Sequence, residues 1–577
     1  MGRYSSTTYQ HLFTVCPLID HIAGGESRLN TRTKIAWCVL VLIVPNTHST
    51  VAAPPGNQQA SAVESAIQVL VDGTTPPLST FVGLGIEFDP YQNQPTATKW
   101  QTILDRVRTM RPGFLRVMSG AGDYCLGFDD KGSPIYVWDH HDPTTQKNLN
   151  KLLAILDFAQ TENTDVFLGE WSPPRRIGIE GPSDPRWPRI IADFVQYLVR
   201  QRHYSVLRHY IFFNEPNGQW MWPHSTPDYG AWSMGIKTLR HELDTRGLQG
   251  VSLAGPDNSG DKNWFTSSVR DLSAQIGPWE SHIYATDSEV YNGIIESELK
   301  HATSTILNTD PAGGSKERFL AESGLQDGKN EQLDQQPRVR TFIYGVLMAD
   351  YVAQVARAGW MGANAWDLDD AMHGNGHGGL KVWGFWDSSP GSDMHVRPWF
   401  YVWSLMSKLF PAGAQILRVE ESSTMPRFRA TACSWISAAG DQISIMLVND
   451  ADQARNVRVR MPSATQSSLY SYHYFKNDRP TSSSGMPKTS LGLLKLDSNR
   501  SLKINMPSRG VIFLTSAAGS DTWPPRPKTV VRKFVRMLLG GLRNSAKIST
   551  NPLQNRVRDL AHHPRVVGTD VISDVSP

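Results

Sequence analysis

Cysteine is scarce. The 577 residues hold four, Cys16, Cys38, Cys125 and Cys433, and no two stand at the close spacing of a zinc site or a redox dithiol. That excludes a disulfide-built scaffold and a thiolate metal centre. Long apolar runs are lacking too: residues 35–44 are continuously apolar, about half of what a bilayer-crossing helix needs. Charge of one sign is also missing from the body of the chain. The net charge is +3, but residues 521–577 carry a surplus of six positive charges and residues 1–52 a surplus of two, which leaves the middle at −5. A chain with no broad basic face is poorly equipped to follow nucleic-acid phosphates. A neutral, polar substrate fits better, and no nucleic-acid partner is expected.

What is present begins with "TRTKIAWCVLVLIVPNTHSTVAAPPG". Arg32 and Lys34 precede the apolar run, and small residues follow at Thr50, Ala52 and Ala53. This is the layout of a secretory signal with a long leader, residues 1–53, cleaved after Ala52 or Ala53. It predicts a secreted or cell-envelope protein, with a membrane anchor as the alternative. Cys125 and Cys433 then remain as two separate buried thiols. Residues 54–76 read as a linker, in which "SAIQVLVDG" (65–73) is a strand able to complete a C-terminal sheet.

Strands and helices then alternate. Short apolar runs occur at 81–88, 114–118, 165–171, 209–216, 250–256, 281–286, 318–324 and 362–368. Between them Trp100, Ile103, Leu104, Val107 and Met110 recur at helical spacing, as do Leu149, Leu152, Leu153 and Leu156, and Ile343, Leu347, Tyr351 and Val355. Eight such units fit an α/β fold, a (β/α)8 barrel over residues 77–412, whose usual length is about 250 residues. Past a last helix near 397–410 the pattern changes. Residues 442–450, 455–462, 468–475 and 510–516 alternate with turn residues and predict an all-β sandwich over 413–520. The tail, 521–577, is Pro- and Arg-rich. Its segment 529–543 reads either as a disordered tail or as a basic amphipathic helix making weak contact with a membrane surface.

Two glutamates stand where a barrel does its chemistry, at the carboxyl ends of strands. Glu215 lies in "FFNEPNGQW" after the fourth run and Glu322 in "AESG" after the seventh. A single glutamate there is most simply a salt-bridge partner. Two, on strands that face each other across a barrel, are the pair that glycosidic cleavage requires: an acid for the leaving oxygen and a carboxylate on the other side of the anomeric carbon.

Residues from roughly 81 to 410 resemble the retaining glycoside hydrolases of clan A. "FFNEPNGQW" is most similar to family 39, and "GEWSPP" (169–174) to family 30. The resemblance implies Glu215 as acid/base and Glu322 as nucleophile. It further implies that Asn214 bonds the sugar 2-hydroxyl, that Tyr284 hydrogen-bonds the nucleophile, that His282 lies near the acid/base, that Arg116 keeps the nucleophile ionised, and that Trp366 forms an aromatic floor under the sugar. Trp171 is expected to stack on substrate. Glu170, which ends the third strand run, is expected to contact substrate or to brace the mouth. The implied partner is an oligo- or polysaccharide or other glycoside, and no cofactor is needed.

Two further readings belong to other classes. One is a non-catalytic carbohydrate-binding barrel. The other is a metal-dependent barrel hydrolase using His373, His377 and Asp370 in "MHGNGHGGLKVWGFW", a stretch whose glycines match a dinucleotide fingerprint literally but follow the eighth strand instead of opening a first helix.

Overall fold

The computed structural model describes residues 66–222, 225–422, 427–463, 465–479 and 492–517. The expected leader and its cleavage site, most of the linker, and the basic tail lie outside the described residues.

Eight parallel strands close into a barrel. They are β1 (Gly83–Glu87), β2 (Phe114–Ser119), β3 (Asp165–Glu170), β4 (Leu207–Ile211), β5 (Ser252–Ser259), β6 (Ile276–Ala285), β7 (Arg318–Leu325) and β8 (Gly362–Ala365). Each pairs with its neighbours in chain order, and β8 pairs back to β1. The helices between them are α1 (Ala97–Met110), α2 (Lys147–Glu162), α3 (Arg186–Gln196), α4 (Tyr229–Thr245), α5 (Lys262–Leu272), α6 (Ile294–Thr309), α7 (Phe342–Arg357) and α8 (Pro398–Leu409). Their starts are set by side-chain caps: Thr96, Asp228, Asp261 and Thr341 each accept a backbone N–H of the first turn of α1, α4, α5 and α7.

The barrel is filled. Phe114 and Met118 of β2, Phe167 of β3, Ile211, Ala254, Phe319 and Ala321 meet in its interior, and the Phe114 and Phe167 rings stack at 4.4 Å. This apolar plug closes the lower half, so polar side chains that point inward gather above it, at the carboxyl ends of the strands.

Two strands differ from expectation. β6 starts at Ile276, five residues early, because Gly277 and Pro278 interrupt its apolar pattern. β4 ends at Ile211, and the chain from Phe212 to Glu215 leaves the sheet, with Glu215 at a left-handed φ of 41°. Glu215 therefore sits on a turn beyond its strand.

The second layer is a β-sandwich: β9 (Gln415–Glu421), β10 (Phe428–Ser437), β11 (Gly440–Asn449), β12 (Arg455–Arg460), β13 (Ser468–Tyr474), β14 (Gly492–Lys495), β15 (Ser501–Met506) and β16 (Gly510–Thr515). Four of these, β9, β10, β14 and β15, fall outside the predicted runs. β10 reads weakly because, after Phe428, its buried residues are small or polar: Arg429, Ala430, Thr431, Ala432 and Cys433. Strand β9 joins the two sheets: Gln415–Leu417 pair with β10, and Arg418–Glu421 pair with the strand Ile67–Asp72. That strand, alternately buried and exposed, also runs parallel to β12.

One face of the sandwich lies against α7, which explains why α7 is buried almost all round. Arg429 of β10 reaches Asp350 of α7 at 2.6 Å, and Arg357 reaches Glu421 at 2.8 Å. Gly345 is required at this seam, because a Cβ there would stand 2.4 Å from the Tyr474 hydroxyl. Among the described residues, no helix is long and apolar enough to cross a membrane.

Candidate active site

Arg116, fully buried on β2, is the hub of the barrel mouth. Its Nη1 donates to Glu87 Oε1 at 2.9 Å and Glu322 Oε1 at 2.8 Å. Its Nη2 donates to Asn214 Oδ1 at 2.6 Å and Asp257 Oδ2 at 3.0 Å. Five strands or strand ends are thereby tied to one guanidinium, whose planar fork can serve several oxygens at once.

Glu322 on β7 also accepts from the Tyr284 hydroxyl at 2.5 Å. Glu215 accepts from Trp220 Nε1 at 2.8 Å, and its other oxygen lies 3.0 Å from His282 Nδ1. One oxygen each of Glu215 and Glu322 lie within 4.8 Å of one another and of a His282 nitrogen. Asn214 is held by its side chain on Arg116 and by its N–H on the Glu170 carbonyl at 2.9 Å. Trp366, just past β8, stacks on His373 at 5.2 Å, and Trp171 meets it edge-on at 6.0 Å. Of the expected site residues, the fold thus brings together Glu215, Glu322, Asn214, Arg116, His282 and Tyr284, and places Trp366 and Trp171 against each other at strand ends β8 and β3.

The charges are not divided as a simple acid-and-nucleophile pair would suggest. Burial pushes Glu322 above the ordinary carboxylate range, opposed by His282 and Arg116. Burial also acts to raise Glu215, but the hydrogen bond and charge of His282 outweigh it and hold that carboxyl low. His282 is raised well above an ordinary histidine: burial opposes its charge, and Glu322, Asp257 and Glu215 together overcome it.

Of the two roles expected of Glu170, the structure supports bracing and not substrate contact. The inward residues of β3 are Phe167 and Gly169, so the pleat turns Glu170 outward. Its carboxyl is fully buried behind the strand, accepting from Tyr124 at 2.7 Å and Tyr210 at 3.0 Å. It braces the site through its backbone and does not line it.

Burial pushes Glu170 up to about 8, well above its unfolded value. Between those two values the folded state keeps a proton that the unfolded state has lost, so stability falls as pH rises, by about 1.4 kcal/mol per pH unit for one proton. Glu170→Gln keeps an acceptor for both tyrosines and removes the titration. Thermal unfolding from pH 5 to pH 8 is expected to show the variant gaining on wild type as pH rises, with the difference vanishing towards pH 4.5.

Several residues of the mouth escape the motifs. Glu87 ends β1, Asp257 lies in β5, Glu280 in β6 and Asn364 in β8. The signal for Glu87 and Asp257 was available, since both are acids at the carboxyl end of a strand, the rule that singles out Glu215. Beside Trp366, Lys381 Nζ lies 5.3 Å from the ring centroid and 2.8 Å from Asp334. Asp89 lies 3.2 Å from His373 Nε2.

The metal reading built on the glycine-rich loop is corrected. Asp370 is taken by Arg397, His377 is exposed, and His373 turns to Asp89. Among the described residues the groups close enough to share an ion are Glu215–His282–Glu322 and Asp257–Glu280–His282. Arg116 already donates to Glu322 and Asp257 there, and both nitrogens of His282 face carboxylates. Among other tryptophans of the strand-end loops, Trp386 and Trp222 are core residues, Trp383 is buried against Tyr284 at 5.3 Å, and Trp220 is exposed beside Glu215.

No protein-family model and no curated protein sequence matches the chain. Solved structures do. A family 30 endoxylanase from Clostridium papyrosolvens superposes with a TM-score of 0.54 at 14% identity, covering 79% of this chain and 100% of that one. A family 51 α-L-arabinofuranosidase from Thermotoga petrophila gives 0.57 at 13%, covering 78% and 100%. A family 39 enzyme from Xanthomonas axonopodis pv. citri gives 0.53 at 13%, covering 80% and 99%. The chain therefore has the fold of the clan A glycoside hydrolases, as found in families 30, 39 and 51.

Proposed function

We propose that this protein is a retaining glycoside hydrolase that cleaves O-glycosidic bonds by double displacement. Glu322 attacks the anomeric carbon while Glu215 passes a proton to the leaving oxygen. In the second half Glu215 takes a proton from the water that releases the sugar. Asn214, fixed on Arg116, is the donor placed for a sugar hydroxyl, and Trp366 and Trp171 offer apolar faces to the ring.

The observation that carries this reading is the spacing of the two carboxylates, whose near oxygens lie within 4.8 Å. Retaining enzymes hold the two carboxyl groups about 5–5.5 Å apart and inverting enzymes about 6.5–9.5 Å; a pair that shares His282 Nδ1, 3.0 Å from Glu215 Oε1 and 3.5 Å from Glu322 Oε2, supports the closer arrangement. The donors around Glu322 also suit a nucleophile. Arg116 and Tyr284 each give it a hydrogen bond that favours the ionised form. A carbohydrate-binding barrel without turnover has no use for that arrangement.

Proton NMR of an aryl glycoside during hydrolysis tests the reading. The first sugar released is expected to have the anomeric configuration of the substrate. Release of the opposite anomer would mean inversion, and no release from any member of a broad aryl glycoside panel would leave the binding-barrel alternative standing.

A further inference from the structure

His282 is held from both sides by acids. Nδ1 lies 3.0 Å from Glu215 Oε1, and Nε2 lies 3.0 Å from Asp257 Oδ1. A neutral imidazole has one N–H to give. Two carboxylates facing its two nitrogens therefore need one further proton, which lies on the Glu215–His282 hydrogen bond. The groups around the ring decide which side it takes. They are Glu215 beyond β4, Asp257 on β5, Glu280 and Tyr284 on β6, Glu322 on β7, and Arg116 on β2, which reaches Glu87 on β1. Glu322 Oε2 is only 3.5 Å from Nδ1, so a second negative charge stands on the Glu215 side of the ring.

Behind the ring is a carboxyl pair with no part in the reaction as derived above. Glu280 is completely buried, and no donor reaches either of its oxygens. A carboxyl so placed keeps its own proton, and one of its oxygens lies within 4.8 Å of an Asp257 oxygen and of a His282 nitrogen. Asp257, also buried, receives Arg116 as well. Arg116 and, to a lesser extent, protonated Glu280 keep Asp257 ionised, and Glu322 together with ionised Asp257 keeps the imidazole charged.

Resting on the hydrolase reading, we propose that His282 stores the proton that Glu215 delivers, and that Asp257 and Glu280 are positioning residues that keep it there until the bond breaks. The balance is complete. As Glu322 bonds to the anomeric carbon its negative charge is used up, and the proton on His282 Nδ1 loses a neighbour that held it. It passes to Glu215 Oε1 and on to the glycosidic oxygen, which keeps the electron pair of the broken C–O bond. His282 is left neutral, with its Nε2–H on Asp257. In the second step water attacks the same carbon, Glu322 departs with its electron pair, and the water proton returns through Glu215 to His282.

The charge of the ring can be read without substrate. In protein labelled with 15N-histidine, with the His282 signals assigned by their loss in His282→Gln, both ring nitrogens are expected to be protonated at pH 7. Asp257→Asn is expected to render the ring neutral at that pH. It should also move the basic limb of kcat/KM down by about one pH unit or more, the scale on which a neighbouring charge acts. Glu280→Gln, which can still donate to Asp257, should keep the limb where wild type has it. A neutral His282 in the wild-type protein overturns the proposal even if no variant folds. So does a basic limb unmoved in folded Asp257→Asn, which is what a purely structural role would give. A protein that turns over no glycoside overturns the hydrolase reading and with it the delivery step, and the ring measurement then decides only whether His282 holds the proton.

Discussion

Glu322→Gln is expected to lose nearly all activity on every glycoside tested, by a factor on the order of 10⁴–10⁶, the scale of removing a nucleophile that acts as part of a unit. The variant should still fold. Gln keeps an oxygen to accept from Arg116, and its NH2 can donate to the Tyr284 hydroxyl, the two groups that hold the oxygens of Glu322 at 2.8 and 2.5 Å. What it lacks is a charge able to form the glycosyl–enzyme bond. Its companion, Glu215→Ala, separates the two roles. Activity is expected to survive only on substrates whose leaving group needs no proton, such as dinitrophenyl glycosides. Azide, small enough to enter the space left by the side chain and needing no base, should raise the rate and give a glycosyl azide of retained configuration. Steady-state kinetics on a panel of leaving groups reads both. Normal hydrolysis by Glu322→Gln would sink the nucleophile assignment, and equal losses on good and poor leaving groups in Glu215→Ala would sink the acid.

Arg116→Met is the second large effect, and it falls on stability. The guanidinium is completely buried and bonded to Glu87, Glu322, Asn214 and Asp257. Removing one partner from such a buried group leaves the others uncompensated, at a cost of about 3–5 kcal/mol. Met fills the volume, so the loss is electrostatic and depends on pH. At pH 8 Glu322 and Asp257 must stay charged without their cation or take up protons against the solvent, whereas near pH 5 protonation is easier and the penalty shrinks. Unfolding midpoints of wild type and variant should therefore differ more at pH 8 than at pH 5. A difference independent of pH would mean that Arg116 acts through packing alone.

The fold was legible to an unusual degree, for a physical reason. Barrel strands are buried on both faces and read as short apolar runs, while the helices between them carry a single buried stripe, so the two periods alternate visibly. All eight runs became strands. The failures lie where another constraint overrode the pattern. Gly277 and Pro278 hide the start of β6, and the small residues of β10 hide a strand that presses on α7.

The site was legible in part. Glu215, Glu322 and Asn214 stand at recognisable breaks after apolar runs. Glu170 stands at one too, and counting inward residues along β3 from Phe167 turns it outward, which separates the bracing role expected of it from substrate contact. Glu280 offers no such cue. It is one polar residue in "IGPWESHIYA", and its meaning comes entirely from Asp257, 23 residues earlier on the adjoining strand.

By itself, then, the sequence determined the alternation of elements, the closure into a barrel followed by a sandwich, and the two acids at opposite strand ends, because these depend on local periodicity and on where strands stop. Only the tertiary structure decided the carboxylate spacing, the outward turn of Glu170 and the setting of His282 between Glu215 and Asp257. Those depend on distances between residues far apart in the chain, and on a balance of burial against charge that no local pattern records.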